Sequence, residues 1–159
     1  MLSGSSAGDV SDAMRSVAIP GKKKTLRLRT LKDMERFARG VAATLRGGEV
    51  IALSGPLGAG KTTFVQFLGS ALGVKHRITS PTFTLMRLYD IPPAKSQTSC
   101  LTTLVHIDAY RLRSAQALVA IGALDYIGEP QTVTVIEWAE KVKSALPGKT
   151  QWCIFQGDQ

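Results

Sequence analysis

Several features that mark secreted or membrane proteins are scarce or missing in this sequence. It has two cysteines in 159 residues, Cys100 and Cys153, and their wide separation gives neither a metal-binding spacing nor a framework of disulfides. Apolar runs stay far below the roughly 18 residues of a membrane-spanning helix. Residues 1–6 lack the apolar segment of a secretory signal. We therefore expect no membrane span, reduced thiols and a cytoplasmic location.

Acidic residues are also scarce relative to basic ones. The chain has 12 acidic and 20 basic residues and a net charge of +8, and part of the excess lies in Lys22, Lys23, Lys24, Arg27 and Arg29. Such a run can attract nucleic acid or an acidic partner surface. No aromatic residues alternate with it, as base stacking would require. We therefore favour a solvated, basic start of a strand over direct contact with RNA.

The remaining composition is that of an ordinary globular domain. Apolar residues make up 44% of the chain and charged residues 20%. A length of 159 residues is enough for one domain with a sizeable core. Residues 1–23 are small and polar and show no periodicity, so we predict a flexible segment there and a single domain over residues 24–159.

Residues 55–62 carry the strongest motif in the chain. They read Gly-Pro-Leu-Gly-Ala-Gly-Lys-Thr, which matches the phosphate-binding pattern G-x-x-x-x-G-K-[ST] between a predicted strand and a predicted helix. Backbone N–H groups and the helix N-terminus attract phosphate, the lysine reaches the β- and γ-phosphates, and the threonine hydroxyl suits Mg²⁺. The residues that we predict to bind the nucleotide here are Gly58, Ala59, Gly60, Lys61, Thr62 and Thr63.

Periodicity and turn residues predict an α/β fold with a mostly parallel sheet. Strands are predicted over residues 24–29, 49–53, 83–89, 104–107, 133–136 and 152–155, and helices over residues 31–45, 63–72 and 115–120. Thr30 and Asp33 have the spacing of a capping box before the first helix. Residues 90–103 are predicted to form an exposed hairpin loop.

Two of the buried strands are predicted to end in carboxylates, Asp108 and Glu137. The carboxyl ends of parallel strands lie at one edge of a sheet, where the phosphate loop also lies, so both acids are expected to face the nucleotide. An apolar run with a terminal acid supports Mg²⁺ directly or through water. We predict that Asp108 and Glu137 are catalytic and that both, with Thr62, are metal ligands. One acid would hold the metal while the other orients a water, and the sequence does not assign the two roles.

Three residues near these motifs have two interpretations each, and a fourth has one. Thr82 is predicted to act as a switch threonine that closes over the γ-phosphate and contributes to catalysis, or it belongs to a simple turn. Trp138, directly after the second acid, either walls the nucleotide site or is core. Arg111 either balances phosphate charge or pairs with a neighbouring acid. His106 lies between two apolar strand residues, and we interpret it as a structural histidine of the core.

Taken together, these motifs resemble the TsaE (YjeE) family. The matching segments, in order, are Gly58-Ala59-Gly60-Lys61-Thr62-Thr63-Phe64, Ser80-Pro81-Thr82-Phe83-Thr84-Leu85, His106-Ile107-Asp108-Ala109-Tyr110-Arg111-Leu112 and Glu137-Trp138. The phosphate loop is common to many families, whereas the other three segments in this order are specific. The resemblance covers about residues 24–155.

The resemblance implies a P-loop NTPase-like three-layer sandwich that binds ATP or ADP with Mg²⁺. It implies an ATPase of bacterial tRNA threonylcarbamoyladenosine synthesis, weak alone and stimulated by its partners TsaB and TsaD. TsaD would transfer threonylcarbamoyl to the adenosine next to the anticodon, so contact of this chain with tRNA would be indirect. By the same resemblance, Thr62, Asp108 and Glu137 match the family's functional residues, and Thr82 matches its switch-like loop.

Two other functions compete with this interpretation. A small-molecule P-loop kinase needs an acceptor pocket and an arginine-bearing lid, and 159 residues leave little room for either. A non-catalytic switch would bind the nucleotide and signal without turnover. Labelled ATP with candidate acceptors separates a kinase from a hydrolase, and turnover with and without partners separates a hydrolase from a switch.

Overall fold

The computed structural model describes residues 15–19, 24–93 and 100–157. Its strands are β1 (Arg15–Ile19), β2 (Lys24–Leu28), β3 (Val50–Ser54), β4 (Met86–Asp90), β5 (Thr103–Asp108), β6 (Thr132–Glu137) and β7 (Gln151–Gln156). Its α-helices are α1 (Leu31–Thr44), α2 (Lys61–Ala71) and α3 (Ala115–Ala120), and 3-10 helices span Ala123–Asp125 and Ala139–Ala145. No helix within these ranges is long and apolar enough to cross a membrane.

The strands form one sheet in the order β2-β1-β7-β3-β6-β5-β4. The four central strands β7, β3, β6 and β5 run parallel to one another, while β1, β2 and β4 pair antiparallel at the two edges. The predicted α/β fold is confirmed, with its parallel pairings at the centre of the sheet. The antiparallel pairing of β4 with β5 also agrees with the predicted hairpin. Residues 94–99 of the hairpin loop lie outside the described residues.

Strand β1 corrects the domain boundary that the sequence suggested. Arg15–Ile19 lies within the segment that we predicted to be flexible, yet it pairs with both β2 and β7, and Val17 is fully buried. A strand of five residues after a small, polar stretch gives too short an alternation to be detected. The other residues of that segment, 1–14 and 20–23, lie outside the described part of the chain.

Helices cover both faces of the sheet because the central strands alternate apolar residues toward two cores. From β3, Ile51 and Leu53 join the cluster that includes residues of α1 and α2. Val50 and Ala52 of the same strand join the second cluster, which includes residues of α3 and of both 3-10 helices. The carboxyl ends of β3, β5 and β6 therefore lie between two packed helical layers, which hold the loops that follow them.

The predicted capping box fixes the start of α1. The Thr30 hydroxyl accepts from the N–H of Asp33 at 3.1 Å, and the Asp33 carboxylate accepts from the N–H groups of Thr30 and Arg29. These backbone donors hold the pKa of Asp33 below its usual value. The turn after the helix requires glycine at Gly47, where a Cβ would lie 1.9 Å from the carbonyl oxygen of Pro130.

The predicted strand over residues 83–89 is only half correct. Strand β4 begins at Met86, and the residues before it form a tight turn in which the N–H of Leu85 donates to the carbonyl of Pro81 at 2.6 Å. Leu85 has a φ of +63°, so the chain reverses there. The alternation of apolar and polar residues resembled a strand, whereas Phe83 is almost fully exposed, at 90%.

The two cysteines are expected to differ sharply in reactivity. Burial raises the pKa of the Cys153 thiol to about 12, while Cys100 is exposed. Since the thiolate is the reacting species, a thiol reagent at pH 8 should modify one cysteine per native chain and two in denaturant. Mass spectrometry of the labelled protein measures this. A Cys100→Ser control should take up no label when native, and rapid native labelling at Cys153 would contradict the structure.

Candidate functional site

The phosphate-loop motif lies where the sequence placed it, between β3 and α2. Its glycines Gly55, Gly58 and Gly60 have φ angles of +139°, +78° and +97°, which side chains with a Cβ rarely adopt. Gly60 is the N-cap of α2, and no side chain there caps the helix. The first N–H groups of α2 thus lack a side-chain acceptor from their cap, as a phosphate-binding helix N-terminus requires.

Lys61 is the buried cation of this loop. The residue is 4% exposed, and its ammonium donates to the carbonyl oxygens of Gly55 and Pro56. The same nitrogen lies 3.9 Å from the centre of the Trp138 ring. Burial lowers the pKa of Lys61, although the carboxylates of Glu137, Glu140 and Asp108 oppose that shift. An entering phosphate would therefore meet a cation that carbonyls and an aromatic face already hold in place.

Glu137 ends β6 beside the start of α2. The Thr62 hydroxyl donates to its carboxylate, at 2.9 Å from Oε1 and 3.0 Å from Oε2. The Nε2 atom of His106 lies 2.7 Å from Oε1. With 3% of the residue exposed, Glu137 is a nearly buried acid held from two sides by a hydroxyl and an imidazole.

Asp108 ends β5 directly beside Glu137 in the sheet register. Its Oδ1 accepts from the N–H of Tyr110 at 2.9 Å, and its Oδ2 lies 3.4 Å from the hydroxyls of both Ser80 and Thr82. Those two hydroxyls are 2.6 Å apart. The structure thus places Glu137 against the phosphate loop and Asp108 against the segment that carries Thr82.

The donor set at Thr62 and Glu137 suits Mg²⁺. Mg²⁺ prefers hard oxygen ligands, and it is usually bound through one or two carboxylates together with water and substrate phosphates. A hydroxyl and a carboxylate in contact provide such oxygens. Among the described residues, no group of three or more His, Cys, Asp and Glu side chains is placed to hold a metal. Thr62 and Glu137 would therefore supply two of the oxygen ligands of a Mg²⁺ ion, and water or phosphate oxygens would supply the others.

Trp138 lines the site and is not simply core. A cavity of about 300 Å³ is bounded by Leu57, Gly58, Gly60, Lys61, Thr62, Thr63, Glu137 and Trp138. Trp138 has a φ of +56°, a backbone conformation that turns the chain after β6, and its ring centre lies 5.0 Å from that of Tyr110. Of the predicted loop residues, Ala59 does not line the cavity, because its side chain is buried in the core.

A larger cavity lies away from these motifs. It measures about 560 Å³ and lies between α1 and the starts of β3 and β7, with Arg36, Phe37, Ile51 and Trp152 among its lining residues. Its lining contains no carboxylate and no phosphate loop. The chemistry that the motifs predict is therefore assigned to the smaller cavity.

The structure also decides the surroundings of His106 and Arg111 at this edge. His106 is fully buried as expected, but it also contacts the carboxylate of Glu137 and so belongs to the surroundings of the site. The signal for this contact was its spacing, since residues two apart on a strand share a face and His106 precedes Asp108 by two. Arg111 stacks on the ring of Phe83, with 5.1 Å between the guanidinium carbon and the ring centre.

The basic run at the start of the domain lies only partly in the described structure. Arg27 and Arg29 are exposed, whereas Lys22 and Lys23 lie outside the described residues. A solvated strand start agrees with the two exposed arginines. Attraction of an acidic partner by this run stays a prediction.

Comparison with known proteins identifies relatives over most of the chain. The model of the family described as "Threonylcarbamoyl adenosine biosynthesis protein TsaE" matches residues 28–158. The tRNA threonylcarbamoyladenosine biosynthesis protein TsaE of Treponema pallidum is 41% identical over 122 residues, which cover 77% of this chain and 83% of that protein. The protein of the same name in Streptomyces coelicolor is 40% identical over 111 residues, covering 67% and 68%. The crystal structure of Bacillus subtilis YdiB matches with a TM-score of 0.60 and 25% identity, over 91% of this chain and 78% of that one.

Proposed function

The chain belongs to the TsaE family of tRNA threonylcarbamoyladenosine biosynthesis, and we propose that it is the Mg²⁺-dependent ATPase of that machinery. The sheet with its parallel centre and helices on both faces fits a P-loop NTPase-like three-layer sandwich. One observation carries the proposal: the phosphate loop, Lys61, Thr62 and Glu137 line a single cavity at the carboxyl ends of the strands. That edge is where open α/β sheets bind ligands.

Binding of ATP is assigned to the loop and the start of α2. The N–H groups of residues 58–63 would surround the β-phosphate, and Lys61 would contact the β- and γ-phosphates. Trp138 would close one side of the site, since its ring already covers the Lys61 ammonium. Thr62 and Glu137 would hold Mg²⁺, which neutralises phosphate charge when it is bound.

Hydrolysis is assigned to Asp108 and Thr82. In the reaction a water oxygen bonds to the γ-phosphorus and the bond from that phosphorus to the bridging oxygen breaks. ADP and phosphate leave, and the proton lost by the water passes to the phosphate or to solvent. Asp108 is the acid that does not contact Thr62, so its carboxylate is available to accept a hydrogen bond from the attacking water. The contact of Thr82 with Asp108 at 3.4 Å couples the turn after α2 to that acid.

The partners in this proposal are TsaB and TsaD, with tRNA reached through the assembled complex. Large apolar side chains are exposed around the site, with Leu57 at 89%, Phe83 at 90% and Tyr110 at 53%. Phe83 and Tyr110 lie on the turn and the strand end that hold Thr82 and Asp108. A partner that covers these side chains would act directly on the hydrolytic residues, which is why we expect turnover to be slow without it.

Phosphate release from ATP by the purified chain, with and without purified TsaB and TsaD, tests this function. We expect slow release by the chain alone, several-fold faster release with both partners, and no release when Mg²⁺ is chelated. Nucleotide binding without release in the presence of both partners would indicate a switch. Transfer of the labelled γ-phosphate to a small acceptor would indicate a kinase.

A further inference from the structure

A buried histidine stands directly behind the proposed metal ligand. His106 is 0% exposed and lies in the middle of β5, on a sheet position flanked by apolar residues. Its Nε2 is 2.7 Å from Oε1 of Glu137, and within the described residues its Nδ1 has no hydrogen-bond partner. An ionised carboxylate only accepts, so Nε2 is the nitrogen that carries the hydrogen in this contact.

We propose that His106 is a positioning residue that orients the Glu137 carboxylate for Mg²⁺. This inference rests on the proposed function, because it concerns the metal that the nucleotide brings. Among the described residues, two side chains hydrogen-bond to Glu137, the Thr62 hydroxyl and the His106 imidazole. Thr62 is itself a proposed ligand of the metal, so His106 is the one of the two whose contact with Glu137 persists when Mg²⁺ binds.

The burial of His106 argues for this role over a purely structural one. An aliphatic residue would fill the same place without burying Nδ1, which has no hydrogen-bond partner among the described residues, and a buried polar atom without a partner costs stability. Partners that hydrogen-bond a metal ligand fix its orientation, and their loss typically weakens metal affinity roughly 10- to 100-fold. The hydrogen bond between Nε2 and Glu137 therefore gives a reason for a histidine at this buried position, which packing alone does not give.

Two substitutions of nearly equal length separate the hydrogen bond from the packing. In His106→Gln the amide nitrogen is as many bonds from the backbone as Nε2 of histidine and can donate to Glu137. In His106→Met the side chain has similar reach and no donor. A matched control is Thr134→Val, which changes a fully buried residue of β6 whose hydroxyl likewise has no partner within the described residues.

ADP affinity is measured by calorimetry, first with chelator and then across a Mg²⁺ titration, so no turnover is needed. We expect His106→Met to require roughly 10-fold more Mg²⁺ or more for the same gain in ADP affinity. His106→Gln should recover most of this loss, and Thr134→Val should match the parent. ADP affinity in chelator should be the same in all four proteins. In a Glu137→Gln background, His106→Met should have no further effect, because the residue acts through that carboxylate.

A Mg²⁺ requirement in His106→Met equal to that of the parent would overturn this inference. Equal increases of the Mg²⁺ requirement in His106→Gln and His106→Met would also overturn it. So would a full further increase when His106→Met is added to Glu137→Gln. If His106→Met does not fold, the Mg²⁺ requirements of His106→Gln and His106→Asn are compared instead. The shorter asparagine cannot reach Glu137, so its requirement should be the higher of the two. A parent chain that binds no nucleotide at all would instead overturn the proposed function, and one that binds ADP without regard to Mg²⁺ would overturn the metal assignment.

Discussion

Replacing Lys61 with alanine is expected to lower ATP turnover by roughly 100- to 1000-fold, the usual loss of about 2.7–4 kcal/mol when one preorganised donor to developing negative charge is removed. The Lys61 ammonium is held inside the loop by the carbonyls of Gly55 and Pro56 and by the face of Trp138. An entering phosphate finds the cation already placed. Alanine keeps the start of the helix but leaves no positive side chain in the cavity.

The loss is expected to be one of binding and catalysis and not of folding. Burial lowers the pKa of Lys61, which means that its surroundings favour the uncharged form more than water does. Removing this charge therefore relieves a desolvation cost while it removes two hydrogen bonds. We expect the nucleotide-free variant to melt close to the parent.

Thermal unfolding with and without ADP measures the binding part of this prediction. At 100 times its Kd, a ligand stabilises the folded state by about 2.7 kcal/mol, or roughly 5–10 °C for a chain of this size. Lys61→Ala should lose this rise. The control Lys75→Ala, which removes an exposed lysine from the loop after α2, should keep both the rise and the parent's turnover. Parental turnover by Lys61→Ala with partners present would contradict the assignment.

The parts of the fold that sequence reasoning predicted are those fixed by neighbouring residues. The phosphate loop is one continuous segment, and the capping box of α1 joins Thr30 to Asp33 within a single turn. The common edge of Asp108 and Glu137 followed from a general property of parallel strands, and the register places the two acids side by side. Each of these inferences needed no knowledge of which strand lies next to which.

The parts that escaped prediction depend on pairings between distant residues. Strand β1 is defined by its pairing with β2 and β7, and the sequence of its five residues does not predict that pairing. The contacts at Glu137 join residues 75 and 31 positions away in the sequence, Thr62 and His106. They arise only once the order of the strands is known, which is why the sequence did not assign the metal to one of the two acids.

Glu137→Gln and Asp108→Asn are expected to separate metal binding from turnover. Each substitution keeps the size of the side chain and removes its charge. Glu137 contacts the Thr62 hydroxyl at 2.9 Å, whereas Asp108 contacts the hydroxyls of Ser80 and Thr82 at 3.4 Å. Only the first acid shares a partner with the phosphate loop, so only its charge should be needed to hold Mg²⁺.

In Glu137→Gln we expect the affinity for Mg²⁺ in the presence of ADP to fall by roughly 100-fold. Loss of a residue that only hydrogen-bonds a metal ligand lowers metal affinity by roughly 10- to 100-fold, and loss of the ligand's own charge should cost at least as much. Turnover should be lost as well. In Asp108→Asn we expect ADP and Mg²⁺ affinities near those of the parent. Its turnover should nevertheless fall by roughly 100-fold or more, as it does when a group that handles the reacting water is removed. Metal titrations followed by calorimetry, together with phosphate release in the presence of both partners, measure the two effects.

Asp90→Asn is the matched control for these two variants, because Asp90 is also an acid at the end of a strand. Strand β4 runs antiparallel to β5, so Asp90 pairs with Thr103, at the end of β5 opposite to Asp108. Asp90 is exposed, and its neutralisation should change neither metal affinity nor turnover. Turnover at the parent's rate in Asp108→Asn or Glu137→Gln would show that the charge of that acid is not needed for the reaction. Loss of Mg²⁺ affinity in Asp108→Asn, with none in Glu137→Gln, would reverse the two assignments, because the metal would then lie against the Thr82 turn and not against the phosphate loop.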